Sequence, residues 1–265
     1  MRFAAALILI STVFYSSIAG ADGDPGLNPF LAKSYDETRD VALHILERFP
    51  PDQYWYVGLG RSPTPITAFL ELLGVDGITT LPLSGMKSFD GYKDLPKAEL
   101  RSRLYSHFDS WLPSAMDLDN RKLLLIDYAS TGEGLVTAMR EARSFAELHR
   151  PGTEIVSLGL FRMEKTKEAL LANQIIPLQV PEAMGDAMVY SAFDKVAKMQ
   201  SWHPWDDTRA SLTTRPEHQA FKDFLSEQMA RDRILQRFTQ NRTSIIQSRV
   251  QFDCLSKHLR TLLKK

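Results

Sequence analysis

The sequence predicts a doubly wound α/β protein, a mostly parallel sheet with helices on both faces, followed by an all-helical C-terminal extension. Three observations point there. Strand-like and helix-like segments alternate from Tyr35 to Val180, the pattern of successive βαβ units. The most apolar strand, Lys122–Asp127, contains the unbroken run Leu123–Ile126, as expected where both faces of a strand are covered. Beyond Trp205 the spacing is helical only, with Phe221, Leu225, Met229, Leu255, Leu259 and Leu262 at intervals near 3.6.

Length and composition fit that class. The chain has 265 residues, 44% hydrophobic and 24% charged, enough for one sizeable core plus an appendage. Lys+Arg and Asp+Glu both number 32, so no net charge draws the protein to nucleic acid or anionic lipid. Residues 1–21 read as a signal peptide: Arg2 supplies the positive start, Phe3–Phe14 the apolar run, and Ala19-Gly20-Ala21 the small residues of a cleavage site. Cleavage is expected after Ala21, with Ala19 the other small-residue position, giving a secreted or periplasmic protein. Cys254 is the only cysteine, so no intrachain disulfide forms.

Element by element, residues 22–34 are rich in Gly, Pro and Asp and read as a linker. The α/β domain is expected over 35–200 and the helical extension over 201–265. Tyr35–Phe49 reads as a helix with Val41, Ile45, Leu46 and Phe49 on one face, ended by Pro50-Pro51. Tyr54–Leu59 is aromatic and β-branched, hence a strand. Pro65–Leu73 resumes as a helix closed by Gly74, and Ile78–Leu83 is the second strand. Ser84–Pro96 is polar and turn-rich and reads as a surface loop. A helix over Ala98–Leu112, the strand Lys122–Asp127 and a helix over Gly134–His149 follow, the last with Leu135, Met139, Ala142 and Ala146 inward. Strands at Glu154–Phe161 and Ile175–Val180 flank a short helix near Met163–Ala172.

Ligands of parallel sheets bind beyond the carboxyl ends of the strands, and two loops there carry suitable chemistry. The first runs Asp127-Tyr128-Ala129-Ser130-Thr131-Gly132-Glu133-Gly134. Two hydroxyls and two glycines at a helix start can hold an anion through backbone N–H groups and the helix dipole. The same residues also suit a plain helix cap by Ser130 or Thr131, with Glu133 completing a partial capping box. The second loop, Val57-Gly58-Leu59-Gly60-Arg61-Ser62-Pro63, is glycine-rich with an arginine at its tip.

Four apolar residues, an acid, then two residues before Ser-Thr-Gly resembles the ribose-phosphate signature of the type I phosphoribosyltransferases. The resemblance spans roughly Tyr35–Val189. It implies a doubly wound fold that binds phosphoribosyl pyrophosphate, usually with magnesium, and transfers the phosphoribosyl group. By it, Asp127 meets the ribose as the catalytic acid, and Ala129, Ser130, Thr131, Gly132 and Glu133 surround the phosphate. Gly60, Arg61 and Ser62 become the pyrophosphate contacts. The family's mobile loop falls on Ser84–Pro96, making Lys87 and Lys93 phosphate contacts. Ile126 stands where the family has its first acid, and Gly134 where it has a loop-closing hydroxyl.

The function expected is thus an exported, phosphoribosyltransferase-like protein taking a phosphorylated sugar or nucleotide. The other reading is a catalytically silent interaction protein or secreted effector that engages a protein partner through its C-terminal helices. The six histidines show no paired spacing typical of zinc, and neither G-x-S-x-G nor a Walker A motif is present. Trp202–Asp207 reads as a packed linker, Asn241-Arg242-Thr243 as a sequon, and the basic leucine-rich end after Lys257 as a solvated helix.

Overall fold

The computed structural model describes residues 33–193 and 216–237. The signal peptide, most of the linker, the Trp202–Asp207 segment, the sequon, Cys254 and the basic end lie outside the described residues. Helix α1 (Tyr35–Arg48) buries Val41, Ala42, Ile45 and Leu46, with Asp36 and Glu37 at its positive end and Arg48 at its negative end. Strand β1 (Tyr54–Leu59), helix α2 (Thr64–Leu72) and strand β2 (Ile78–Leu81) follow. Helix α3 (Lys97–Trp111) leads to the short α4 (Ala115–Leu118), whose start is a capping box between Ser114 and Asp117. Strand β3 (Lys122–Tyr128) feeds α5 (Glu133–His149), then β4 (Ile155–Phe161), α6 (Glu164–Ala172), β5 (Ile176–Gln179) and α7 (Glu182–Phe193).

All five strands are parallel, in the order β2-β1-β3-β4-β5. β3 lies between β1, with Gly58 opposite Ile126, and β4, with Asp127 opposite Gly159. Successive residues of a strand face opposite sides, and the two sides of β3 bury different layers. Leu123 and Leu125 pack with Leu100, Leu104 and Phe108 of α3 and with Leu135, Met139 and Phe145 of α5. Ile126 is fully buried and faces the other layer, where α1, α2 and α7 contact one another. Helix α2 therefore returns the chain from β1 to β2 on one face, and α5 carries it from β3 to β4 on the other. Right-handed crossovers leave the sheet centre in opposite directions only this way.

Two segments differ from expectation. Ser84–Pro96 is not simply a solvated loop: it contains a 3-10 turn over Met86–Ser88, and Met86 and Phe89 are buried in the α3/α5 core. Asp90 takes Lys97 at 2.6 Å and Arg140 at 2.7 Å, tying the loop to both helices. The helix α7 was not foreseen. It is apolar on several sides because it packs on α1, α2 and β3 at once, so no single stripe marks it.

The chain divides into two compact units that meet at Asp223 and Phe224. The sheet and its helices belong to the first. A helix, α8 (Pro216–Arg231), spans that boundary in the sequence.

Gly58 sets how closely β1 approaches α2. A Cβ built on it would lie 2.7 Å from Thr67 Cγ2 and 3.3 Å from Pro63 Cγ, and Thr67 is a buried, β-branched residue with little freedom to yield. Gly58→Ala is expected to destabilise the protein by ~1–3 kcal/mol, read as a lower urea midpoint with unchanged slope.

Candidate functional site

The carboxyl ends of β1 and β3 adjoin, and their loops meet. Asp127 sits near the end of β3 facing the α5 side, at the floor of a cleft of about 180 Å³ whose walls include Leu59, Met86, Lys87, Gly134 and Ala138. Burial pushes its carboxyl up to about 7; the Tyr128 N–H, at 2.8 Å from Oδ1, and the Ser62 hydroxyl oppose that rise by hydrogen bonding. The Ser62 contact joins the two loops that the sequence separates by 65 positions, 127 − 62.

The loop after β3 divides its work. Ala129 is buried and its N–H donates to Leu160 O at 2.7 Å, so it extends the sheet and offers a ligand nothing. The Ser130 carbonyl accepts from the Thr166 hydroxyl at 2.6 Å, which pins the loop to α6. The Ser130 and Thr131 side chains are exposed. Gly132 is the cap residue of α5 at φ 85°, a conformation glycine adopts without strain. Neither Ser130 nor Thr131 caps the helix, so the capping-box reading does not hold. Val136 N–H closes the first turn on Gly132 O at 2.9 Å. The N–H groups of Glu133, Gly134 and Leu135 thus lie at the helix end without intrahelical acceptors. Glu133 is exposed and pairs with Lys87 Nζ at 2.9 Å.

The loop after β1 contributes less than its sequence promises. Gly60 adopts φ 66°, and its N–H donates to Leu81 O at 2.8 Å, completing the ladder to β2 rather than facing a ligand. Arg61 is half-buried, and its carbonyl accepts from both the N–H and the hydroxyl of Thr64, at 3.1 and 2.6 Å, turning the chain into α2. Of the three pyrophosphate candidates, Ser62 is the one in contact with Asp127. Lys87 lines the cleft; Lys93 is exposed and does not line it.

A second cluster lies across β3 and was missed in the sequence. The Tyr128 phenol is pushed upward by burial, with Arg162 drawing it partly back through charge and a hydrogen bond. Arg162 in turn reaches Asp186 at 2.5 Å and Glu182 at 3.6 Å. Its one sequence signal is position, directly after the end of β4.

Asp127 is, among the described residues, the only carboxylate lining the cleft. Among the described residues, no group of three or more His, Cys, Asp or Glu side chains is placed to hold a metal. A protein-held magnesium, which needs several oxygen ligands, does not fit this donor set. No described helix is long and apolar enough to cross a membrane.

Compared with known protein families, curated proteins and solved structures, the chain matches none.

The Asp127 environment has a measurable consequence. The folded protein keeps a proton there up to about pH 7, whereas the unfolded chain gives it up near 3.8. Between those values the folded state binds more protons, so stability from this group falls as pH rises. Water in the open cleft screens part of the effect. Asp127→Asn is expected to exceed the wild type by ~2 kcal/mol in urea unfolding at pH 8, with the gap closing toward pH 4. A gap that stays constant across this range means an ordinary carboxylate.

Proposed function

We propose that the protein binds the phosphate of a phosphorylated ribose or nucleotide in the crevice between β1 and β3, in the manner of a phosphoribosyltransferase-like fold. The observation that carries this reading is the contact between Ser62 and Asp127 beneath the α5 helix end. It joins the two loops of the family signature at the point where α2 and α5 leave the sheet in opposite directions. In sheets of the order 2-1-3-4-5, ligands bind at that crevice.

The roles follow from the chemistry. Glu133, Gly134 and Leu135 present N–H groups along the helix axis toward a phosphate oxygen. The Thr131 hydroxyl, which with Gly132 and Glu133 lines a second cleft toward α6, adds a donor from that side of the helix start. Lys87 supplies the positive charge from the facing turn. Asp127, whose carboxyl is raised to about 7, is partly protonated at neutral pH. It offers a sugar hydroxyl an acceptor and, when protonated, a donor, with less negative charge beside the phosphate than an ordinary carboxylate sets there. Ile126 faces the other layer, so a single carboxylate serves the ribose. The function proposed is therefore binding; magnesium, where it takes part, arrives with the ligand.

Calorimetry and thermal shift with ribose 5-phosphate, nucleoside monophosphates and phosphoribosyl pyrophosphate, each with and without magnesium, test the reading. Phosphorylated ligands are expected to stabilise the protein, by ~2.7 kcal/mol at a hundredfold excess over Kd, while ribose and free nucleosides do not. Thr131→Ala is expected to weaken binding about tenfold, the usual loss for one hydrogen bond to a charged group. Absence of any shift with every phosphorylated ligand sinks the proposal.

A further inference from the structure

The start of α5 does not face open solvent. The 3-10 turn Met86–Ser88 lies against it, with a Cβ at Gly134 placed in van der Waals contact, 3.9 Å, with the Lys87 backbone nitrogen. From this turn the Lys87 side chain reaches to Glu133, Nζ to Oε2 at 2.9 Å, with 64% and 57% of the two side chains exposed. Glu133 is the first residue of α5, so its carboxylate stands at the positive end of the helix dipole. One carboxylate thus takes up the cleft's lysine and neutralises the helix end, the two features a phosphate would use.

We infer that Glu133 is a built-in competitor for the anion site: it holds Lys87 while the cleft is empty, and an entering phosphate takes Lys87 over. This inference rests on the phosphate reading above and adds an exchange of ion pairs to it. A phosphate monoester carries up to two negative charges and three free oxygens, so it can engage Lys87 and the helix N–H groups together. A carboxylate or a phosphodiester carries one charge and gains less by displacing Glu133. Displacement of Glu133 is therefore most complete for dianionic phosphate groups.

The surroundings allow the exchange. The pair is largely solvated, so it is weak and yields at little cost. The rest of the loop stays fixed, because Phe89 is buried and Asp90 is held by Lys97 and Arg140. One side chain moves; the backbone need not.

The experiment is calorimetric titration of ribose 5-phosphate, and of a ribose phosphodiester, into the wild type, Glu133→Gln, Lys87→Met and the double variant at low salt. Thermal melts confirm that all four fold. Glu133→Gln is expected to bind the monoester roughly three- to fivefold tighter, the range set by a solvated ion pair. The diester, which draws less from Lys87, is expected to tighten by no more than the monoester. Lys87→Met should bind more weakly than the wild type, and the double variant should match Lys87→Met. If Glu133→Gln binds no tighter while the wild type binds, the competition is overturned. An equal gain without Lys87 also overturns it, since direct repulsion by Glu133 then accounts for everything. If none of the four binds either phosphate, the phosphate reading falls and takes this inference with it.

Discussion

The site depends on one topological constraint. With every strand parallel, all carboxyl ends lie on one edge of the sheet, and a right-handed crossover fixes which face each helix takes. β1 sends its chain to β2 through α2, and β3 sends its chain to β4 through α5, in opposite directions and on opposite faces. Between two neighbours that part in this way a crevice opens without any loop having to fold back. Gly58 lets β1 and α2 approach closely enough for the Gly60–Pro63 turn to reach the β3 end. The Ser62–Asp127 contact results from that placement.

Within the crevice the balance of charge is set by burial more than by pairing. Asp127 has hydrogen bonds from Ser62 and the Tyr128 N–H, both of which favour its charged form, and desolvation still outweighs them. Among the described residues no cation counters it, and Lys87 is engaged by Glu133. A carboxyl that titrates near neutral pH is a better neighbour for a phosphate than an ordinary carboxylate, which would repel it as a fixed anion. The Tyr128–Arg162–Asp186 cluster across β3 shows the contrasting case, in which a cation and a carboxylate are paired at short range and the site is electrostatically closed.

Much of the fold was legible because its strands are short, apolar and bounded by turns. β1 runs over Tyr54–Leu59 as expected, and the other strands differ by one or two residues at their ends. What escaped had physical reasons. α7 buries several sides and shows no stripe, and α4 is a single turn whose signal is its capping box. In Ser84–Pro96, two buried side chains among polar neighbours did not outweigh the turn residues. At the site, residue types were readable but backbone commitments were not. Gly60 and Ala129 look like anion-binding positions in the sequence, yet both N–H groups belong to the sheet. Nor does any local pattern foretell that Lys87 meets Glu133, since their proximity depends on how the loop after β2 crosses to α5.

Two of the three glutamates of α5, Glu133 and Glu141, show how location decides the role of one residue type. Glu141 is buried, and Arg101 at 3.0 Å and Arg140 at 3.1 Å both attend it. Removing the arginines would leave the buried Glu141 carboxylate uncompensated in a poor solvent, so the arrangement is fixed. Arg140 also holds Asp90, so this buried carboxylate helps locate the loop that carries Lys87. Glu133, eight residues earlier on the same helix, meets its lysine in water, where an ion pair is weak and exchangeable. The buried acid therefore builds the wall of the cleft, and the exposed one stands at its mouth. A helix that is rigid where it is packed and replaceable in its contacts where it is wet is suited to hold a ligand at its first turn.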